Sequence, residues 1–101
     1  MGRRLQLQET LETILGSRNV YFQPPPNIKM SYPCIVYKLD NEQIDYAENS
    51  RYLANERYTV TLIHSDPDTY LREELAKIQW ASFDRAYATN NLNHFSFTIY
   101  I

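Results

Sequence analysis

The sequence of 101 residues contains little cysteine and little glycine, and both shortages exclude classes of protein. The single cysteine, Cys34, excludes an internal disulfide and any zinc site built from several cysteines. With two glycines in all, the chain has no glycine-rich loop of the kind that cradles phosphate groups. We therefore expect an intracellular protein that neither binds nucleotides through such a loop nor depends on disulfides.

Strong charge of one sign and long apolar runs are also missing. The chain carries 10 basic and 12 acidic residues, for a formal net charge of −2, which does not favour tight binding to nucleic acid. No stretch approaches the roughly 20 apolar residues that a membrane span needs. The length is typical of one domain, covering residues 1–101, and no membrane partner is expected.

Tyrosine is the residue type that the sequence has in excess. It occurs nine times, against four phenylalanines and one tryptophan. A tyrosine side chain has an apolar ring and a polar end, which suits half-buried sheet faces and contacts between proteins.

The first predicted helix covers residues 4–15. Its apolar residues recur at helical spacing and form one stripe, and Gly16 follows as a natural left-handed terminator. The stripe consists of Leu7, Leu11, Ile14 and Leu15.

The second predicted helix begins in "SDPDT" and runs to about Gln79. Asp66 is a good N-cap, Pro67 fits the first helical position, and Asp68 favours the positive end of the helix dipole. Its apolar stripe is Leu71, Leu75 and Ile78.

Alternating apolar and polar residues predict several strands between and after the helices. Turns are expected in "DNEQ", in "ENS" and in the closing "NNL", where asparagine tolerates positive φ. Pro33 is expected to lie outside the ladder or at its edge, since it has no amide hydrogen. The predicted strands are 18–23, 31–39, 43–47, 56–65, 83–89 and 93–101, with 51–53 extending a long exposed hairpin.

Helices separated from such strands predict an α+β fold. We expect a mostly antiparallel or mixed sheet, two helices packed on one face and a long protruding hairpin. The stretch "QPPPN" is expected to be a stiff, extended connection within the domain, because its prolines favour a polyproline conformation.

The residues with catalytic potential are few. His64, Asp66 and Asp68 in "HSDPD" could hold a metal ion, and Cys34 could act as a nucleophile with a histidine as base. The two aspartates are already explained by the predicted helix start, however, and a cysteine among apolar strand residues usually behaves as a small hydrophobe. The sequence therefore predicts no enzyme, no metal site and no cofactor.

The segment "YKLDNEQIDYAENSRYLANERY" mixes tyrosines with both signs of charge. Arg51 and Arg57 could pair with acids on a neighbouring subunit, which would set the register and specificity of that contact. An ordinary solvated hairpin, whose tyrosines cover the sheet, is the alternative. The tyrosines are Tyr37, Tyr46, Tyr52 and Tyr58.

Over residues 32–101 the chain resembles the small tail-completion, or tail-terminator, proteins of long-tailed bacteriophages. The resemblance lies in the order of three stretches. They are "YPCIVYKLD", "YAENSRYLANERYTVTLIHSDPD" and "FDRAYATNNLNHFSFTIYI".

The resemblance implies a structural virion protein without enzymatic activity. Such proteins form a ring, commonly a hexamer, at the head-proximal end of the tail tube, where they stop tube polymerisation and present a surface to the neck. The implied partners are other copies of the chain, the major tail tube protein and a neck or head-completion protein. Genome DNA passes through the lumen without specific binding, and assembly takes place in the host cytoplasm.

We expect the ring contacts to involve Tyr46, Arg51, Tyr52 and Arg57. One alternative function is another neck ring, such as a head-completion or adaptor protein. A remote alternative is a small metal-dependent hydrolase using His64, Asp66 and Asp68.

Overall fold

The fold was obtained as a computed structural model, which describes residues 3–47, 50–79 and 81–100. For residues 3, 41–47 and 50–56 it describes the backbone alone. The order of elements is helix, three strands, helix, two strands. They are α1 (Arg3–Leu15), β1 (Val20–Phe22), β2 (Cys34–Ala47), β3 (Ser50–His64), α2 (Leu71–Ala76), β4 (Ala81–Thr89) and β5 (Leu92–Tyr100).

The strands form one five-stranded mixed sheet in the order β1-β2-β3-β5-β4. β1 runs parallel to β2, and the other neighbouring pairs are antiparallel. The predicted α+β class and mostly antiparallel sheet are confirmed.

Both helices pack on one face of the sheet and bury its apolar residues. Register places Val60 opposite both Tyr37 and Phe97, so the apolar residues of three adjacent strands lie side by side. Leu7 and Leu11 of α1 cover this face together with Leu75 of α2. The face is made of Val20, Ile35, Tyr37, Tyr58, Val60, Leu62, Phe95, Phe97 and Ile99.

The first helix agrees with the prediction. α1 ends at Leu15, and Gly16 follows with φ of +79°, while its N–H bonds to the Glu12 carbonyl at 2.9 Å. Glycine adopts this left-handed conformation without the steric cost that a Cβ would add.

The second helix is shorter than predicted, and Asp66 does not cap it. α2 covers Leu71–Ala76, with Tyr70 at the N-cap position. The carboxylate of Asp66 instead accepts the Asp68 N–H at 2.9 Å, and Thr69 Oγ1 accepts the Leu71 N–H at 3.3 Å. Such local side-chain bonds give the backbone an alternative to the helix, which explains its late start.

The predicted turn at "DNEQ" is wrong. β2 runs through residues 40–43, with an irregularity in register between Leu39 and Asn41. A β-bulge absorbs one extra residue without ending a strand, so polar residues typical of turns remain inside the ladder. The predicted turn at "ENS" includes residues 48 and 49, which lie outside the described residues. Protrusion of the β2–β3 hairpin stays a prediction.

The connection from β1 to β2 has to reverse direction, because the two strands are parallel. It contains a turn at residues 25–28, where the Ile28 N–H bonds to the Pro25 carbonyl at 3.2 Å. The expected connection within the domain is therefore present, but the expectation that it is extended throughout is wrong. β2 begins at Cys34 and not at residue 31, so Pro33 lies outside the ladder, as expected.

Candidate functional site

The β2–β3 ladder carries the four residues predicted to contact a neighbouring subunit. It runs from the Cys34–Ile63 pair to the Ala47–Ser50 pair. β5 pairs with β3 as far as Arg57, and β1 pairs with residues 35–37 of β2. In the described part of the chain, residues 41–47 and 50–56 therefore have each other as ladder partners and no third strand.

Three of those residues belong to this two-stranded segment. Tyr46 and Arg51 are direct partners across the ladder, and Tyr52 follows along β3. Arg51 lies six residues from Arg57, which corresponds to roughly 20 Å along an extended strand. The backbone thus places three of the predicted contact residues together in this segment.

Arg57 lies at the base of that segment and has partners in its own chain. Its Nε donates to Asp40 Oδ2 at 3.0 Å, and the two side chains are 35% and 39% exposed. A hydrogen bond with Tyr100, followed by the nearby Asp40 carboxylate, raises the pKa of Arg57. These side-chain contacts link β2, β3 and β5 within one chain, so Arg57 is already engaged without a neighbouring subunit.

The "HSDPD" residues use their polar atoms in local turns. His64 Nδ1 accepts the Asp66 N–H at 2.9 Å, and Asp66 Oδ1 accepts the Asp68 N–H. Among the side chains that the structure describes, no three of His, Cys, Asp or Glu are grouped closely enough to hold a metal ion. These hydrogen bonds stabilise the turn that connects β3 to α2.

Cys34 is fully buried at the start of β2. Burial raises the pKa of its thiol to about 11, so the thiolate needed for nucleophilic attack is scarce at neutral pH. The prediction that Cys34 behaves as a small buried hydrophobe is confirmed.

A cleft of about 480 Å³ between the α2 region and β4 was not found by sequence reasoning. The Arg72 guanidinium lies 4.6 Å from the ring centroid of Phe83, and Phe83 makes an edge contact with Phe97, with centroids 5.4 Å apart. The cleft brings residues 67–76 next to residues 83 and 97, which no local pattern relates. It is lined by Pro67, Asp68, Thr69, Arg72, Glu73, Ala76, Phe83 and Phe97.

The sheet face opposite the helices carries a second aromatic group at its β4 edge. Tyr87 and His94 are cross-strand partners whose rings stack with centroids 4.7 Å apart, and Arg85 approaches the Tyr87 ring at 5.9 Å. Thr61 and Ser96 share a hydrogen bond at 3.2 Å nearer the middle of this face. The β4 edge of this face is therefore polar and aromatic, whereas Cys34 and Ile63 make its β2–β3 part apolar.

No helix in the described part of the chain is long and apolar enough to cross a membrane. Comparison with protein-family models and with curated proteins finds no match for this chain.

Proposed function

We propose that the chain is a structural protein of a long-tailed bacteriophage that closes the head-proximal end of the tail tube as a ring of identical subunits. The proposal rests on the resemblance of the stretches at residues 32–40, 46–68 and 83–101 to tail-terminator proteins. The structural observation that supports it best is the two-stranded segment of β2 and β3, which continues past β1 and β5.

The outer edges of the two-stranded segment have no described strand beside them, so they suit contact with another subunit. These edges keep backbone N–H and C=O groups that the described strands do not use, and the sequence of the segment mixes tyrosine with both charges. Tyr46, Arg51 and Tyr52 lie there, and Arg57 lies at its base. Contact between this segment and a different surface of the next copy is heterologous, which gives a ring when the rotation closes.

The direct test is tube termination. The tail tube protein of the same phage is polymerised with and without this chain, and tube lengths are measured by electron microscopy. We expect shorter, capped tubes, with gold label against this chain at one end of each tube. Unchanged tube lengths with unlabelled ends would reject the proposal. Label at the head vertex of virions, with bare tube ends, would instead favour a head-completion or adaptor ring.

A further inference from the structure

The outer edge of β4 is long and unprotected. β4 has nine residues, and all its side chains except the partly buried Ala81 are exposed. It stands at the end of the strand order, and no described strand pairs with its outer side. The strand contains neither lysine nor proline, the residues that commonly protect such edges. A long edge of this kind is open to pairing with another strand.

The opposite edge of the sheet is protected beside β1 and free beyond it. β1 has three residues, and its Val20 carbonyl accepts a hydrogen bond from Gln8 Nε2 at 3.2 Å. Next along this edge, the Leu39 N–H donates to Gln23 Oε1 at 3.2 Å. Past Leu39, the outer side of β2 has no described strand beside it. Each sheet therefore has one free edge on β4 and another on the second half of β2.

These two free edges match in length. Register shifts interrupt β4 just before Arg85, and β2 just before Asn41 and just after Asp45. The regular stretches that remain are residues 85–89 of β4 and residues 41–45 of β2, which are five residues each. Two regular stretches of equal length can pair without a further bulge.

The direction of the strands decides which edge of a neighbouring copy can pair with β4. β4 and β2 run in opposite directions, because three antiparallel pairings separate them, and they lie towards opposite sides of the sheet. A neighbour in the same orientation therefore presents the free edge of its β2 antiparallel to β4. The free edge of β3 faces the β4 side, so pairing with it needs an inverted neighbour. That contact gives a closed pair or an open filament and no ring of more than two copies.

We propose that residues 85–89 of β4 pair with residues 41–45 of β2 in a neighbouring copy, which joins the two sheets edge to edge. Backbone hydrogen bonds supply the contact, as when any strand is added to an exposed sheet edge. The offset between the two stretches along the strand direction is accommodated by strand tilt, as in a sheet that closes on itself. This contact deepens the proposed ring and rests on it.

The antiparallel register places opposite charges at facing positions. With residues 85–89 against residues 45–41, Arg85 lies opposite Asp45. Arg85 is exposed, and among the described side chains it forms no ion pair. Residues 41–45 contain two acids and no base. Opposite charges at directly facing positions stabilise a strand pair, so the charges favour this register.

The same register keeps the faces of the two sheets continuous. Ala86 pairs with the buried Phe95, so it takes a position on the helix-covered face. Ile44 pairs with Ala54, which lies four residues along β3 from the buried Tyr58 and therefore alternates onto the same face. Ala86 and Ile44 face each other in the proposed contact, as residues on one face must.

Cross-linking tests the geometry. Chains with Ala86→Cys are mixed with tagged chains carrying Ile44→Cys and oxidised, and the native Cys34 is fully buried. A second mixture pairs Tyr87→Cys with Gln43→Cys, because closely and widely spaced pairs alternate along an antiparallel ladder. We expect disulfide-linked dimers that contain one chain of each type in at least one of these mixtures.

The matched control for the cross-link pairs Ala86→Cys with Ala54→Cys. Ala54 is the ladder partner of Ile44 and lies one strand further from the proposed contact, so this mixture should give few mixed dimers. Equal yields with Ile44→Cys and Ala54→Cys, or no mixed dimers in either test mixture, would overturn the proposal.

A charge swap tests the register. Arg85→Asp and Asp45→Arg should each weaken self-association about tenfold, and an equal mixture of the two variants should associate better than either alone. Glu9→Arg, at an exposed position of α1, is the control and should change association little. Sedimentation velocity measures association, and urea denaturation checks that each variant is folded. Folded single variants that associate poorly and do not recover in the mixture would contradict the pairing of Arg85 with Asp45.

These results separate the contact from the ring itself. If the wild-type chain caps tubes but the cross-link and the charge swap both fail, the edge pairing is wrong and the tail-end function stands. If the wild-type chain neither associates nor caps tubes, both proposals are wrong.

Discussion

At the scale of single residues, Tyr37 shows how a side chain joins a helix to the sheet. It is fully buried, and its hydroxyl donates to Gln8 Oε1 and accepts from Arg4 Nη1 at 3.3 Å. Gln8 Nε2 in turn donates to the Val20 carbonyl at 3.2 Å. Burial raises the pKa of Tyr37, and the neighbouring Arg4 partly opposes this rise. One phenol thus links α1, β1 and β2.

Removing that hydroxyl should destabilise the domain. Tyr37→Phe keeps the ring but leaves Gln8 Oε1 without its donor, and we expect a loss of about 1–2 kcal/mol in the free energy of unfolding. The matched control is Tyr70→Phe, because Tyr70 is 68% exposed, and its effect should stay within about 0.5 kcal/mol. Urea denaturation of both variants measures the difference. Equal stabilities would show that the network contributes little.

Strict alternation of apolar and polar residues along a strand allows the buried apolar residues to be predicted. In "HFSFTIY" the alternation puts Phe95, Phe97 and Ile99 on one face, and all three are buried, although Ser96 on the other face is buried as well. It could not show that Phe83, with the same chemistry, is half exposed. Exposure of Phe83 depends on where α2 ends, and that is a tertiary property.

At the scale of elements, the turn of the β4–β5 hairpin is the feature that the local sequence determines most directly. Thr89 pairs with Leu92, so the loop is Asn90 and Asn91, with φ of 54° and 63°. Two successive residues with positive φ form a type I′ turn, whose twist matches that of the flanking strands. Asparagine tolerates this conformation, which is why a turn could be predicted at "NNL", although Leu92 already belongs to β5.

A β-branched side chain in the β4–β5 turn should destabilise the hairpin, because it does not tolerate positive φ. Asn91→Val places a β-branched residue at positive φ, and we expect a loss of about 1–2 kcal/mol in the free energy of unfolding. Asn91→Gly should leave stability unchanged or slightly higher. Asn27→Val serves as a control, since Asn27 is an exposed turn residue outside the positive-φ set. Thermal unfolding compares the three, and an Asn91→Val variant as stable as the control would contradict this account.

The two failed predictions at this scale share a cause, because in each place another set of hydrogen bonds competes with the structure that the local sequence favours. Asp66 and Pro67 are typical of a helix start, but the Asp66 carboxylate forms a turn with Asp68 instead. "DNEQ" is typical of a turn, but pairing with β3 keeps residues 41–43 in the ladder. In the first place a local side-chain bond outweighs the intrinsic preference for a helix, and in the second place strand pairing outweighs the preference for a turn.

At the scale of the whole molecule, the candidate site could be predicted in part. The polar-aromatic hairpin was visible in the sequence, and the ladder brings Tyr46, Arg51 and Tyr52 together. The cleft was not visible, because it combines residues 67–76 with residues 83 and 97. Contacts between residues so far apart in the chain depend on strand order, which composition and periodicity do not specify.

An experiment can separate Arg57 from the other three predicted contact residues. Arg57 is held by Asp40 in its own chain, so a double exchange, Asp40→Arg with Arg57→Glu, keeps an ion pair there. We expect the exchanged variant to assemble like the wild-type chain, whereas Arg51→Glu assembles poorly. Sedimentation velocity measures the oligomer fraction, and urea denaturation confirms that each variant is folded. If the exchanged variant folds normally but does not assemble, Arg57 contacts the neighbouring subunit directly and its pairing with Asp40 is not its main role.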